Sequence, residues 1–438
     1  MDAKDAKPSF NYGWVVAMAG FFMHLCLGTM YCWGTFTPYI TSYLRKYNPA
    51  LDYNDTIIVF LITPLAQAIG MPIGGMIENK VGPRMTALIG SWMMAFGVFV
   101  SCYTTTVFQL TMTYGITYGI GMGIAYMVPI ACGYKWMPKR KGIISGIVVT
   151  GFGCGGALFN IIGAGICNPD NLAPSPYFGN SVADQVPRMF MTLGCIYVVA
   201  TTLGALLLAD PSPEDLAALK AGEEPAGEAA PIVPKEHPST DVDLLGVLQN
   251  PKGYLLWAMM GASTSSGVLV VGTYKMLGAS AGLNDQLLTI VGSLSLVFNG
   301  LGRLFYGGLS DNIGYKSTMI IVFFFQACLG ALFISSAVNQ YVYSACVCAM
   351  VMNYGANFPL FPTVTAELFG TKHVASNYGF VFSGFATAGI MLKFALKSSL
   401  GFPTVVMATA IASACAGGGI FVLTGAGASA ADKLKQDV

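Results

Sequence analysis

Charged residues are scarce in this 438-residue sequence. Lys and Arg number 22 and Asp and Glu number 21, together 10% of the chain, against about 25% in an ordinary soluble domain. A soluble protein of this size could not cover its surface with so few charges, and a net charge of +1 offers no general attraction to a polyanion. The composition therefore excludes a soluble enzyme, a nucleic-acid binder and a disordered chain.

Groupings of chemically reactive residues are lacking as well. Only three histidines occur, scattered along the chain, and the eleven cysteines lie mostly in apolar stretches without metal-ligand spacing. Cysteine in such surroundings behaves as a small hydrophobic residue. No nucleophile and base stand in a recognisable motif. We therefore expect no metal, no cofactor and no enzymatic activity.

Long apolar segments are what the sequence does have, since 54% of its residues are hydrophobic. A transmembrane helix needs about 20 such residues, and barrel strands would alternate apolar with polar residues, which these segments do not. The pattern predicts an all-α polytopic membrane protein. Its twelve transmembrane helices lie at approximately 13–40, 55–78, 84–104, 108–134, 142–166, 188–209, 253–276, 286–309, 317–337, 341–365, 374–398 and 403–426.

One polar segment divides the twelve helices into two sixes. Residues 211–250 are rich in Pro, acidic and small residues, a composition that cannot bury a core. We predict an N-terminal six-helix bundle over 1–210, a cytoplasmic linker over 211–250 and a C-terminal six-helix bundle over 251–438. With both termini in the cytoplasm, most Lys and Arg fall inside, as the positive-inside rule requires. Arg45, Lys46 and Arg188 fall outside. We expect a multi-pass protein of the plasma membrane that works as a monomer in the lipid bilayer and binds no nucleic acid.

The two halves carry a repeated motif between their second and third helices. Its copies, residues 75–84 and 307–316, are called the loop motifs below. Each pair of equivalent residues is separated by the same interval: Gly75/Gly307, Asn79/Asp311, Gly82/Gly314 and Arg84/Lys316. Parallel six-helix repeats are typical of one transporter architecture.

The loop motifs resemble the G-x-x-x-D-R/K-x-G-R/P-R/K pattern of the major facilitator superfamily, although the first copy has Asn79 in place of the acid, with Glu78 beside it. The chain is most similar to the oxalate:formate antiporter group and the monocarboxylate transporters within that superfamily. The resemblance implies alternating access, with the loop motifs locking the cytoplasmic side. The segments that carry it are 31–33, 135–142, 299–303, 360–363 and 377–380.

Arg303 is the main candidate for substrate binding. Its apolar segment contains no Asp or Glu between Asp285 and Asp311, and an arginine inside a membrane costs about 2.5–3.5 kcal/mol even on the milder scale. Arg303 either reaches the interface or backbone carbonyls, or it binds a carboxylate in a central cavity. The resemblance favours the second role, because Arg303 matches the substrate-binding arginine of the group.

Two positions depart from the relatives. The oxalate antiporter has a lysine where alignment of 377–379 places Phe385, and the proton-coupled monocarboxylate carriers have an Asp where this chain has Asn299. With one cation and no acid, we expect a substrate with one carboxylate, moved by exchange or uniport rather than proton symport.

The remaining candidates are two polar residues, each with two alternative roles, and a set of aromatic residues. Lys393 lies two turns beyond Phe385, and either replaces the missing lysine or extends to the outer headgroups. His24 is either a neutral hydrogen-bonded side chain or a proton site. By the resemblance, the aromatic residues Tyr31, Trp33, Tyr126, Tyr354 and Phe358 match walls of the antiporter cavity.

The sequence therefore predicts a transporter of small organic anions, with formate, lactate or pyruvate as examples of its cargo. Two alternatives stay open. One is an antiporter of oxalate or another dicarboxylate, which would need a second cation. The other is a membrane receptor that has a transporter fold but moves nothing.

Overall fold

The computed structural model describes residues 12–170, 172, 177–221 and 241–436, and in these ranges the regular structure is entirely helical. Residues 1–11 and 437–438 of the predicted cytoplasmic termini, and residues 222–240 of the predicted linker, lie outside the described residues. Two short helices, Pro213–Ala221 and Leu244–Leu248, flank the undescribed part of that linker.

Twelve membrane helices, α1–α12, form the fold. Nine helical segments in the described ranges are long and apolar enough to cross a membrane. One of the nine, Asp55–Tyr103, bends at Gly82 and supplies two helices, α2 before the bend and α3 after it. In the first half α1 is Gly13–Leu44, α4 is Val107–Trp136, α5 is Pro138–Cys167 and α6 is Asn180–Leu206.

The second half repeats the arrangement. Two long helices, α8 and α10, complete the twelve beyond those nine segments. The bounds are Pro251–Ser280 for α7, Asp285–Ile313 for α8, Tyr315–Ser336 for α9, Gln340–Phe369 for α10, Val374–Leu396 for α11 and Phe402–Leu423 for α12.

The loop motifs are tight turns at which helix runs almost directly into helix. Gly82 separates α2 from α3 with φ 79°, and Gly314 separates α8 from α9 with φ 82°. Such φ values are costly for any residue with a Cβ, which explains glycine at both equivalent positions. The end of the molecule that carries these turns is called the loop-motif end below.

Local irregularities mark the helices of the first half. A 3₁₀ segment, Gly28–Cys32, interrupts α1. In α4 a π-helical segment, Thr111–Thr117, is followed by a break at Met127, two residues before Pro129. Proline has no N–H for the helical ladder, so a bend at this place has a local cause.

The two halves meet through α5 against α8 and through α2 against α11. Glycines allow the first contact, since a Cβ at Gly146 would lie 2.9 Å from the carbonyl oxygen of Arg303. At the second, a Cβ at Gly379 would lie 2.6 Å from the Pro72 ring. These close approaches bring side chains of both halves together around Arg303.

Candidate functional site

Arg303 is fully buried in the middle of α8. Its Nε donates to Oδ1 of Asn299 at 3.1 Å, its Nη1 to the carbonyl of Val149 at 2.8 Å, and its Nη2 to the hydroxyl of Tyr31 at 3.3 Å. The partners lie on α8, α5 and α1, so the guanidinium joins the two halves. The sequence left two roles open for Arg303, one at the interface or on backbone carbonyls and one in the interior. The structure places Arg303 in the interior, and one of its three partners is a backbone carbonyl.

The guanidinium keeps unused donors. It has five N–H groups, of which three have partners within the described residues. One N–H is left on each terminal nitrogen, so both terminal nitrogens can still donate to a carboxylate. Among the described buried residues, Arg303 is the one side chain that carries a permanent charge, and no described Asp or Glu forms an ion pair with it.

Aromatic rings surround this cation. The Cζ atom of Arg303 lies 4.5 Å from the ring centroid of Phe358, 5.8 Å from that of Phe152 and 5.9 Å from that of Tyr31. The rings extend the wall in both directions: Phe358 contacts Tyr354 at 5.3 Å and Phe385 at 5.7 Å between centroids. Ring faces stabilise a nearby cation, so the aromatic wall is a favourable setting for the guanidinium.

Most of the predicted site residues therefore lie together. Both ends of the Asn299 amide are hydrogen-bonded, because its Oδ1 accepts from Arg303 and its Nδ2 donates to the Val351 carbonyl at 3.0 Å. Tyr126 joins the wall through Phe152, with ring centroids 5.7 Å apart. The group gathered around Arg303 contains Asn299, Tyr31, Tyr126, Tyr354, Phe358 and Phe385.

Trp33 is directed elsewhere. Its ring packs on Tyr114 of α4, with centroids 5.0 Å apart, and its Nε1 has no partner among the described residues. Tyr31 lies in the 3₁₀ segment, where a step of two residues rotates the side chain by about 240° around the axis, so Tyr31 and Trp33 face different sides of α1. Trp33 belongs to the interior of the first half.

Lys393 also stands apart from the hydrogen-bonded group. It lies on α11, partly exposed, eight residues beyond Phe385, which is about 12 Å along a helix. The described residues provide it with neither a hydrogen bond nor an ion pair. Its neighbour Leu392 packs in a separate apolar cluster with Leu269 and Tyr343.

His24 is fully buried in α1. Its Nε2 lies 2.9 Å from the carbonyl oxygen of Tyr126, and its ring lies 4.7 Å from the Tyr126 ring and 6.1 Å from the Phe152 ring. Its Nδ1 has no partner in the described part of the chain. His24 is therefore adjacent to the aromatic wall but is not hydrogen-bonded to Arg303.

Two buried residues were not singled out from the sequence, and the first of them, Phe152, contacts the site. Phe152 gave no signal, because one Phe in an apolar helix is usually packing. Gln67 did give one: it is a polar residue in the middle of an apolar segment, and such residues are commonly functional. It is fully buried in α2, and both its amide atoms lack partners among the described residues.

The two loop motifs differ in how they join the halves. Asp311 accepts the backbone N–H groups of Gly142 at 2.8 Å and Ile143 at 2.7 Å. Both groups lie in the first turn of the α-helical part of α5, which begins at Lys141 after a short 3₁₀ turn, and a carboxylate is favoured there by the helix dipole. Close by, Lys141 pairs with Glu367 at 2.7 Å. This motif therefore ties α8 to α5 across the two halves.

The first loop motif leaves space instead. Asn79 is exposed, and Glu78 lies 3.6 Å from Lys135, which also pairs with Asp210 at 2.8 Å. A cavity of about 300 Å³ opens beside them, between the halves. The other residues of the motifs make packing or hydrogen-bond contacts. Gly75 faces Ser376, and Gly307 faces Gly142. Arg84 donates to the Leu208 carbonyl at 3.3 Å, and Lys316 lies over the Tyr315 ring.

Comparison with known families agrees with this architecture. Residues 16–392 match the family model of the Major Facilitator Superfamily. The chain belongs to this superfamily. Among solved structures, a double-tryptophan mutant of XylE superposes with a TM-score of 0.72 over 94% of this chain and 95% of that one, at 13% identity. At that identity the likeness establishes the fold alone, and it is the fold of a membrane transporter.

Curated relatives within the superfamily agree with the predicted subgroup. Apicoplast pyruvate carrier 1 of Toxoplasma gondii is 27% identical, over 89% of this chain and 82% of the carrier. The oxalate:formate antiporter of Oxalobacter formigenes is also 27% identical, over 92% and 89%. Monocarboxylate transporter 12 of Rattus norvegicus is 23% identical. The predicted resemblance to this group is therefore confirmed.

Proposed function

We propose that this transporter moves a small monocarboxylate, of the size of formate, lactate or pyruvate, across a membrane by alternating access. The observation that carries the proposal is the pair of unused N–H groups on the buried Arg303. A carboxylate about 4 Å away would be attracted by roughly 4 kcal/mol at an effective dielectric near 20, before the cost of desolvation. The names of the relatives, a pyruvate carrier among them, support the same substrate class.

Charge balance favours a single carboxylate. Arg303 is the one permanently charged side chain among the described buried residues, and Phe385, near the Phe358 ring, offers no second cation. A dicarboxylate would leave one negative group facing aromatic rings, at a large desolvation cost. Transport of oxalate or another dicarboxylate is the second candidate, because Lys393 has no partner among the described residues.

We propose exchange or uniport rather than proton symport. Asn299 occupies the position next to Arg303 where a titratable acid would relay a proton. Its amide donates to Val351 and accepts from Arg303, and an amide cannot take up a proton near neutral pH.

The halves 1–210 and 251–438 would move against each other, joined by the linker 211–250, with the loop-motif end in the cytoplasm. Asp311 at the start of α5 would stabilise closure of that end. Both termini would then be cytoplasmic, and the protein would act as a monomer in the plasma membrane.

Flux into liposomes tests the proposal. Purified full-length protein is reconstituted, and uptake of labelled formate, lactate, pyruvate and oxalate is measured with and without the same anion inside. Saturable monocarboxylate uptake, faster with internal anion for an exchanger, is expected. Binding without any flux would indicate a receptor, and faster uptake of oxalate would favour the dicarboxylate candidate.

A further inference from the structure

Helix α1 packs closely against α4 at the break before Pro129. A Cβ at Gly20 would lie 2.7 Å from the Cβ of Pro129, so α1 carries glycine where the proline ring is seated. One turn later, Nε2 of His24 lies 2.9 Å from the carbonyl oxygen of Tyr126. The two contacts lie on either side of Met127, where the helix is interrupted.

The carbonyl partner determines the tautomer of His24. A carbonyl oxygen only accepts, so Nε2 must carry the proton, and in the neutral ring Nδ1 is then a bare acceptor. The Tyr126 and Phe152 rings lie against the imidazole, and Nδ1 has no partner among the described residues. The permanently charged Arg303 contacts the Phe152 ring as well.

We propose that His24 is a positioning residue for the anion site: through Nε2–H it holds the Tyr126 carbonyl at the α4 break and so fixes the aromatic wall beside Arg303. It is not a proton carrier. The Tyr126 ring lies 5.7 Å from that of Phe152, which lies 5.8 Å from Arg303. A displacement of Tyr126 would therefore be transmitted to Arg303 through a single intervening ring, that of Phe152. This inference rests on the proposed function, because the wall is taken to enclose a carboxylate.

Three substitutions distinguish the effect of the Nε2–H donor of His24 from that of the rest of its imidazole ring. In His24→Gln an amide N–H can take the place of Nε2, in His24→Asn it can reach only the place of Nδ1, and His24→Leu keeps bulk without a donor. Uptake of labelled formate and pyruvate by liposomes gives KM and maximal rate at external pH 5.5 and 7.5. We expect His24→Gln to stay within about twofold of the wild-type KM, and the other two to raise it by about fivefold or more, as loss of one buried hydrogen bond would.

A second measurement does not depend on transport. Hydrogen–deuterium exchange of residues 127–132 reports the stability of the α4 break. Exchange should be faster in His24→Leu and His24→Asn but not in His24→Gln. If the wild type moves no carboxylate, the proposed function fails while this exchange pattern still tests the hydrogen bond.

Other results would overturn the inference. A His24→Gln protein whose uptake loses a pH dependence that the wild type has would make His24 a proton carrier. Equal KM values and equal exchange in His24→Leu and wild type would mean that the hydrogen bond positions nothing. A His24→Gln protein as impaired as His24→Leu would likewise contradict a role for the Nε2 donor.

Discussion

Asn299 and Arg303 lie one helical turn apart on α8, and the amide oxygen of Asn299 accepts the Nε–H of Arg303 at 3.1 Å. The amide orients the guanidinium without neutralising it. An acid at the same place would pair with Arg303 and compete with a carboxylate substrate. The neutral residue therefore keeps the cation available for its ligand.

Asn299→Asp should make transport depend on pH. At neutral pH the new carboxylate is ionised and pairs with Arg303, so affinity for the anion falls. Burial and a substrate anion that competes for Arg303 both favour the neutral form of the new acid, so when the pH is lowered the carboxylate takes up a proton, the pair is lost and affinity recovers. Uptake should rise as external pH falls from 7.5 to 5.5, measured as KM at each pH. Asn299→Ser, which cannot ionise, is the control, and equal pH profiles in the two variants would contradict the pairing.

Phe385→Lys should change the preference between anions. An ammonium near Phe358 would offer a second positive charge to the second carboxylate of oxalate. We expect the ratio of oxalate to formate uptake to rise by about tenfold, equivalent to about 1.4 kcal/mol. The measurement is competition between the two anions for one labelled substrate. Phe385→Leu serves as control, and a ratio unchanged by the lysine would place Phe385 outside the site.

Asp311→Asn should loosen the loop-motif end. The carboxylate accepts two backbone N–H groups at the start of α5, and an amide can offer one acceptor oxygen without charge. A hydrogen bond to a charged group contributes about 1.5–3 kcal/mol, so closure should weaken and flux should fall. A cysteine introduced at the buried Ser145 should react faster with a membrane-impermeant thiol reagent. The control Asn79→Asp, at an exposed position, should leave flux unchanged. If Asp311→Asn does not change the rate at which the introduced cysteine is labelled, the motif is only a structural turn.

Gln67→Leu should separate stability from function. Both amide atoms of Gln67 are buried without partners in the described structure, and such a group costs about 1–3 kcal/mol. Leucine removes that cost, so the thermal midpoint should rise. If Gln67 serves the substrate, KM for formate should rise too. A more stable variant with unchanged KM would assign Gln67 to packing alone.

The fold could be predicted from the sequence because the same patterns recur along the chain. Twelve apolar segments and two equivalent glycines, Gly82 and Gly314, predict the helices and both turns, and the structure has them. What the sequence could not predict is the shortness of the turn: α2 and α3 are two helices separated by little more than Gly82, whose φ is 79°. A hydropathy pattern does not record how few residues a turn needs.

The site was only partly predictable, for geometric reasons. Arg303 stood out because an intramembrane charge is rare, and its neighbours Tyr31 and Phe358 followed from the resemblance. Trp33 packs on Tyr114 rather than beside Arg303, and its spacing of two residues from Tyr31 is consistent with this different direction. Phe152 was invisible, since its closeness to Arg303 depends on the packing of α5 against α8.

The central claim is that Arg303 binds the carboxylate, and counterflow into liposomes tests it most directly. Wild type, Arg303→Lys, Arg303→Ala and the exposed control Arg188→Ala are reconstituted at equal amounts, and their folding is checked by thermal unfolding. We predict that Arg303→Ala lowers labelled formate or pyruvate uptake by at least about 30-fold, which corresponds to about 2 kcal/mol. Arg303→Lys should keep partial uptake, because charge remains but the fork is lost, and Arg188→Ala should match the wild type. Substantial uptake by a folded Arg303→Ala protein would contradict the account.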